Sequence, residues 1–363
     1  MRRRHGKVNR WVLVGLAVLA LVLFTFEHSS ARYRRTRFYE EKLAAARLSK
    51  AAFKAVFRMR ERLGIPIDTV NDPNKTGLVG AQYSELTYGR SDLSDALTTL
   101  NPNFAAAVLE LLVQTGVRRG DQVGISWDGT YPALNIELLA VCRCMELKPV
   151  IVTSQSAGMW GANWPGMTWL DIERVLNEAG LFDYRTEFAT LGGEADDGRG
   201  LSPEGRAMLA AAAESAQVEL VVPADPELTV QRRLEAFRNA RAIVSVGRVV
   251  ADIGDPLAQV PSRVLRKPTA KMGSQGTIAS LLKQRKPVAY LGNPTRVALA
   301  YGLPVAPVPI PEVGKGRLFF QRQYSVGLAA IFVIALALML WFTVRYDIES
   351  YISRNPAPEE EAV

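Results

Sequence analysis

Histidine is nearly missing from this chain. Only His5 and His28 occur in 363 residues, both beside the first apolar run, so no imidazole is available anywhere after residue 28. That removes Ser-His-Asp hydrolysis, Cys-His proteolysis and histidine-ligated zinc together. Cysteine is equally scarce. Cys142 and Cys144 stand two apart on an expected helix, point in different directions, and suit neither a disulfide nor a metal pair. No G-x-x-x-x-G-K-[ST] phosphate loop and no G-x-G-x-x-G opening a helix occurs, which argues against P-loop and dinucleotide chemistry. Any reaction would run on carboxylates, Lys, Arg, hydroxyls or amides. No cofactor, metal or nucleic-acid partner is expected.

Long apolar runs are present at both ends. Trp11 to Phe26 and Val326 to Val344 are uncharged and near the length that crosses a bilayer, so transmembrane helices are expected at 11–27 and 324–344. A cleaved signal peptide is the rival reading of the first, with Arg2, Arg3, Arg4, Lys7 and Arg10 as its basic leader and Ser29-Ser30-Ala31 as its small residues. Charge is unevenly placed. Residues 1–63 hold sixteen Lys/Arg against four Asp/Glu, and Arg32, Arg34, Arg35 and Arg37 follow the first run, where they would favour anionic lipid headgroups. Residues 64–229 carry ten basic and 23 acidic side chains; residues 230–300 carry thirteen basic and three acidic. That asymmetry reads as internal complementarity between halves or as a cationic face for an anionic polymer or headgroup.

Between the runs, a helical pattern at 37–63 is followed by alternating patterns. Strands are expected near 122–127, 149–153, 186–191, 218–222, 242–246, 287–291 and 304–308, with helices between most of them. The expected fold is α/β and Rossmann-like: a mostly parallel sheet with helices on both faces, flanked by one transmembrane helix at each end. The organisation follows as a basic tail (1–10), the first span (11–27), a connecting helix (37–63) and two lobes (64–225 and 226–312). The second span (324–344) and an acidic tail (345–363) complete it, the tail being expected to be disordered.

The candidate site lies at the carboxyl ends of the strands. Asp128-Gly129-Thr130 sits where a strand feeds a helix, so its N–H groups are placed for an anion and Thr130 for capping; an amine or cation would suit Asp128 equally. Asn135 lies one turn into that helix, able to reach back with its amide, and Ser154 ends the next strand. Trp160 and Asn163 belong to a turn dense in tryptophan. Lys271 and Ser274 flank a second glycine turn in the basic half, read as a possible anion nest. The acidic run from Gly192 to Gly200 reads as a solvated loop.

NDPNKTGLVG, NPNFAAAVLELL, WDGTYPALN, WGANWPGMTWLDIE and LGGEADDGRGLSPEG follow one another in this order between the two apolar runs. In this the chain resembles the poly-gamma-glutamate system proteins, over roughly residues 38–215. The resemblance implies an accessory membrane component of poly-γ-glutamate biosynthesis or export. Its partners would be the polymer ligase and membrane subunits of the same system, and it would bind the polymer, a glutamate-like ligand or anionic headgroups. It implies no catalytic residue. Relatives tend to show Ser-Gly-Ser where this chain has Asp128-Gly129-Thr130, so no serine nucleophile stands there, and GRVVADIG from Gly247 departs in the same way. The alternative is a histidine-free transferase or amide hydrolase acting on the polymer. The expected location is the plasma membrane, two-pass, with the core outside the cytoplasm.

Overall fold

The protein is described by a computed structural model covering residues 10–193, 196–223 and 225–345. The basic tail before Arg10 and the acidic tail after Arg345 lie outside the described residues.

The chain opens with α1 (Arg10–Ser29), β1 (Arg32–Arg35) and α2 (Tyr39–Arg62), then a long loop containing β2 (Thr87–Gly89). Helices α3 (Leu93–Thr99) and α4 (Phe104–Thr115) lead into the alternating region. There β3 (Gln122–Asp128), α5 (Pro132–Cys144), β4 (Lys148–Ser154), β5 (Ala157–Gly158), α6 (Trp169–Glu178), β6 (Thr186–Thr190), α7 (Pro203–Ser215) and β7 (Glu219–Leu220) come in turn. The chain continues through α8 (Pro226–Ala236), β8 (Ala242–Val246), α9 (Val250–Ile253), β9 (Val264–Leu265), α10 (Thr277–Lys283), β10 (Val288–Leu291) and α11 (Pro294–Tyr301). It closes with β11 (Phe320–Gln323) and α12 (Val326–Arg345).

Local chemistry explains several boundaries. Thr168 and Asp171 form a reciprocal capping box at the start of α6, and Pro203, Pro226 and Pro294 occupy first-turn positions behind Ser202, Asp225 and Asn293 caps. The strand expected at 304–308 is a loop instead. Pro304, Pro307, Pro309 and Pro311 bring no N–H to a ladder, and a sheet interior cannot accept that loss.

Seven strands form one sheet in the order β7-β6-β4-β3-β8-β10-β9, parallel except for β9, which runs antiparallel along β10. Apolar side chains pack on both faces. Gly124 abuts the Phe237 ring at the end of α8, while Trp127, next but two along the strand, turns to the opposite face and meets Trp169 of α6 edge-on at 4.9 Å. From β3 the chain winds outward through β4, β6 and β7, then returns to β8 on the other side of β3. The strand order therefore reverses between β3 and β8, where open α/β sheets leave a crevice.

The expected lobes share this sheet. Strand β3 pairs with β8 from Val123↔Ala242 to Trp127↔Val246, and Thr36–Phe319 is one unit. The charge change near residue 225 marks no boundary, because part of it cancels internally: Arg232 pairs with Glu219, Arg233 with Asp196 and Arg241 with Asp121.

The second unit combines the two chain ends. Here β1 pairs antiparallel with β11, Tyr33 opposite Arg322, and α1 and α12 leave the same end of this ribbon. Helix α12 is long and apolar enough to cross a membrane from Val326 to Thr343. In α1 the apolar stretch is shorter, Leu13–Ser29, and its last turn carries Glu27 and His28.

Candidate functional site

Asp128 ends β3 directly at the reversal, and its carboxylate is buried. Oδ1 accepts the Thr130 N–H at 2.8 Å; Oδ2 accepts the Tyr88 hydroxyl at 3.1 Å and the Arg248 N–H at 3.3 Å. Burial pushes its pKa up to about 6 although all three donors act in the opposite direction. Tyr88, buried beside that carboxylate, has its own pKa raised well above the ordinary phenol value. Gly247 is obligatory in this arrangement: its φ is +83°, and a Cβ there would lie 2.4 Å from Asp128 Oδ1.

The expected crevice is filled by the protein's own loops. Gly129 N–H donates to Ser156 O at 3.2 Å, and Ala162 N–H donates to Gly129 O at 2.7 Å. Thr130 does not cap α5 as expected; Tyr131 is the N-cap residue, and Thr130 Oγ1 accepts from Gly158 N–H at 2.9 Å. The turn is thus committed to the segment 156–162 rather than to a ligand. Asn163 clamps a further loop on top. Its Oδ1 accepts from Ala81 N–H and its Nδ2 donates to Ala81 O, both at 2.8 Å, and Nδ2 also reaches Thr87 Oγ1 at 2.9 Å. Trp160, with φ +65° and nearly buried, exchanges backbone hydrogen bonds with Gly80 and Ala81. Asn135 does reach back, donating Nδ2 to Asp128 O at 2.9 Å, while its buried Oδ1 has no partner.

Ser154 belongs to a neighbouring buried cluster. Its Oγ donates to Asp196 Oδ1 at 2.7 Å and accepts from Arg233 Nη2 at 2.9 Å. Arg233, fully buried on α8, pairs with Asp196 at 2.5 Å and lies 3.6 Å from Asp252. Ser245 donates to Asp252 Oδ2 at 2.7 Å, and burial raises the Asp252 pKa. Asp196 is therefore no part of a solvated loop; the buried Arg233 guanidinium draws it inward. Between this cluster and Asp128 only a narrow void remains, too small for a water-sized sphere, lined by Tyr88, Asp128, Ser154, Ser156, Asp196 and neighbours. Small-molecule pockets start at roughly 300 Å³. Buried Ser156 Oγ has no hydrogen-bond partner.

Lys271 and Ser274 do not join this centre. Both are exposed, and the loop around them packs on α9: Gly273 N–H donates to Ile253 O, and a Cβ on Gly276 would lie 2.4 Å from Asp252 O. The glycines of the expected anion nest serve close backbone approach instead. Asp128, Gly129, Thr130, Asn135, Trp160 and Asn163 do come together, with Ser154 adjacent. Tyr88, Arg248, Ser156, Asp196, Arg233 and Asp252 were missed. Arg233 alone left a readable signal, standing four residues from each of two buried residues on α8's inner side, Thr229 and Phe237.

Comparison with protein-family models gives no match, and comparison with curated proteins gives none.

Proposed function

We propose that this chain is an accessory membrane component of poly-γ-glutamate biosynthesis or export, acting by binding rather than by catalysis. The filled crevice supports the non-catalytic half of this reading. Every polar group on the Asp128 turn that a substrate would approach already faces Tyr88, Ser156, Gly158, Ala162 or Arg248. The resemblance described above carries the process. Helix α12 supplies an anchor, and α1 beside it, with Phe26 against Phe332, supports a two-pass arrangement. Arg32, Arg34, Arg35 and Arg322 on the β1–β11 ribbon then stand at anionic headgroups, and the basic leader Arg2, Arg3, Arg4, Lys7 and Arg10, as a cytoplasmic start, supports a core outside the cytoplasm. The partners are the ligase and membrane subunits of the same system. The deciding experiment deletes the chain from a polymer-producing cell and purifies tagged protein from membranes. Lost polymer output together with recovery of ligase subunits supports the reading; normal output without them sinks it.

A second reading, a histidine-free amide hydrolase or transferase, has one observation in its favour. Asp128, its pKa pushed up to about 6 by burial, lies beside Tyr88 and shares a void with the unpartnered Ser156 hydroxyl. Shortening of polymer by the purified chain, abolished in Asp128→Asn, would establish it.

A further inference from the structure

Helix α2 carries two kinds of cation. Lys42 and Arg60 point inward and are fully used: Lys42 meets Glu110 at 2.5 Å and Leu318 O at 2.9 Å, and Arg60 donates to Val79 O at 2.6 Å and Pro66 O at 2.7 Å. Arg47, Lys50, Lys54 and Arg58 follow one another at intervals of three, four and four residues, so they share one face, and all four are exposed. None of them makes an ion pair or side-chain hydrogen bond among the described residues. At 1.5 Å per residue the stripe runs about 16 Å along the helix. Glu40 and Glu61 bound it, and no acid interrupts it.

Beside the stripe lies an open groove of about 400 Å³. Its floor is apolar, built from Phe53, Phe57, Leu100, Pro102 and Ile310, and Lys75 stands on the lining as a third lysine with Lys50 and Lys54. Lys75 holds φ +52°, a left-handed conformation that costs a non-glycine residue energy, and it too is exposed and unpaired. Glu312, the one acid on the lining, is bound by Lys315 at 2.5 Å and also lies in the field of Lys50.

We infer that the α2 groove binds a linear chain bearing carboxylates on short aliphatic arms, laid along Arg47, Lys50, Lys54 and Arg58 with its methylenes on the apolar floor. Charges recurring every 5–6 Å, the approximate spacing of neighbours on one helix face, match a flexible polycarboxylate better than isolated anions. Phe53 is 7% exposed and Phe57 half-buried, so no aromatic platform is offered for stacked bases. A flat bilayer does not enter a groove. That the chain is poly-γ-glutamate rests on the function proposed above; the unpaired stripe does not.

The test titrates the full chain, held in neutral detergent, with defined-length poly-γ-glutamate at two salt concentrations. Arg47→Gln, Lys50→Gln, Lys54→Gln and Arg58→Gln are combined in one variant, since Gln keeps helix propensity at exposed sites. Loss of four exposed pairs is expected to weaken binding about thirtyfold and to flatten its salt dependence. Lys75→Asn, which tolerates the left-handed backbone, is expected to weaken it severalfold. A control replaces Arg238, Lys267, Lys283 and Arg285 by Gln and is expected to stay within twofold of the parent. Equal losses in the control and stripe variants, no binding by the parent, or displacement of the polymer by phosphatidylglycerol vesicles would overturn the inference. A chain that recovers ligase subunits from membranes yet fails these titrations loses the groove and keeps its proposed process.

Discussion

At the β3–β8 reversal, Asp196 and Asp252 lie inside the protein around the buried Arg233, and Asp128 lies buried nearby on its own partners, all held by hydroxyls and main-chain N–H groups. On and beside α2, five cations stand in water with no ion pair or side-chain hydrogen bond among the described residues, Lys50 alone lying in the field of Glu312. Buried charges must be paired or hydrogen-bonded to be tolerated, so the first region has spent its carboxylates on internal partners, while Ser156 Oγ and Asn135 Oδ1 keep none. Exposed charges pay no desolvation cost and remain free for an incoming ligand. The region that looks most like a site by topology is thus largely filled by the protein's own loops, and a helix face with no recognisable motif is the one that presents unpaired charge to solvent.

The comparison breaks most visibly at Arg233. Replacing it by Met leaves Asp196 and Asp252 buried without their counter-charge, and a loss of about 3–5 kcal/mol in urea unfolding is expected. Polymer affinity of the fraction that stays folded should be unchanged; a fall would mean that the crevice binds. The next largest effect is on pH. Asp128 moves from 3.8 to about 6 on folding, so the folded state holds its proton where the unfolded state has released it. Stability from this group is full below pH 4, declines as pH rises to about 6, and is flat above. Over roughly two pH units this amounts to about 3 kcal/mol, and Asp128→Asn should remove that part of the decline in a thermal-unfolding series. Glu173, raised to about 7 by burial, continues the decline in both proteins.

Asn163→Ala sharpens the contrast by removing the clamp on the 80–91 loop. Stability should fall by about 1–3 kcal/mol, read by denaturant midpoint, and amide exchange should quicken at Gly80 and Ala81 while the α2 groove stays unaffected. Lys54→Gln alone is the mildest change. Stability within about 0.5 kcal/mol of the parent and a severalfold weaker polymer affinity are expected.

Local sequence made much of the fold readable. Six of the seven expected strands fall on β3, β4, β6, β7, β8 and β10, because alternation and apolar runs register which residues face the core. The capping box at Thr168 and Asp171 accounts for Asp171 without chemistry. Part of the candidate site was legible too: a glycine turn after a strand placed Asp128, Gly129, Thr130 and Asn135 together. What such patterns omit is how a turn is closed. Tyr88 reaches Asp128 across 40 residues, Arg248 across 120, and Asn163 reaches Ala81 across 82.

The sequence by itself determined the α/β alternation, the apolar helix at Val326–Thr343 and the total charge, since each depends only on neighbouring residues or on counting. Tertiary structure alone decided which charges are spent. On α2, Lys42 and Lys50 are the same residue type two turns apart; one is buried against Glu110 and the other faces open solvent beside a groove. Whether a charge is neutralised depends on what distant segments bring to it, and it is those long-range contacts that filled the crevice at Asp128 and left the stripe on α2 bare.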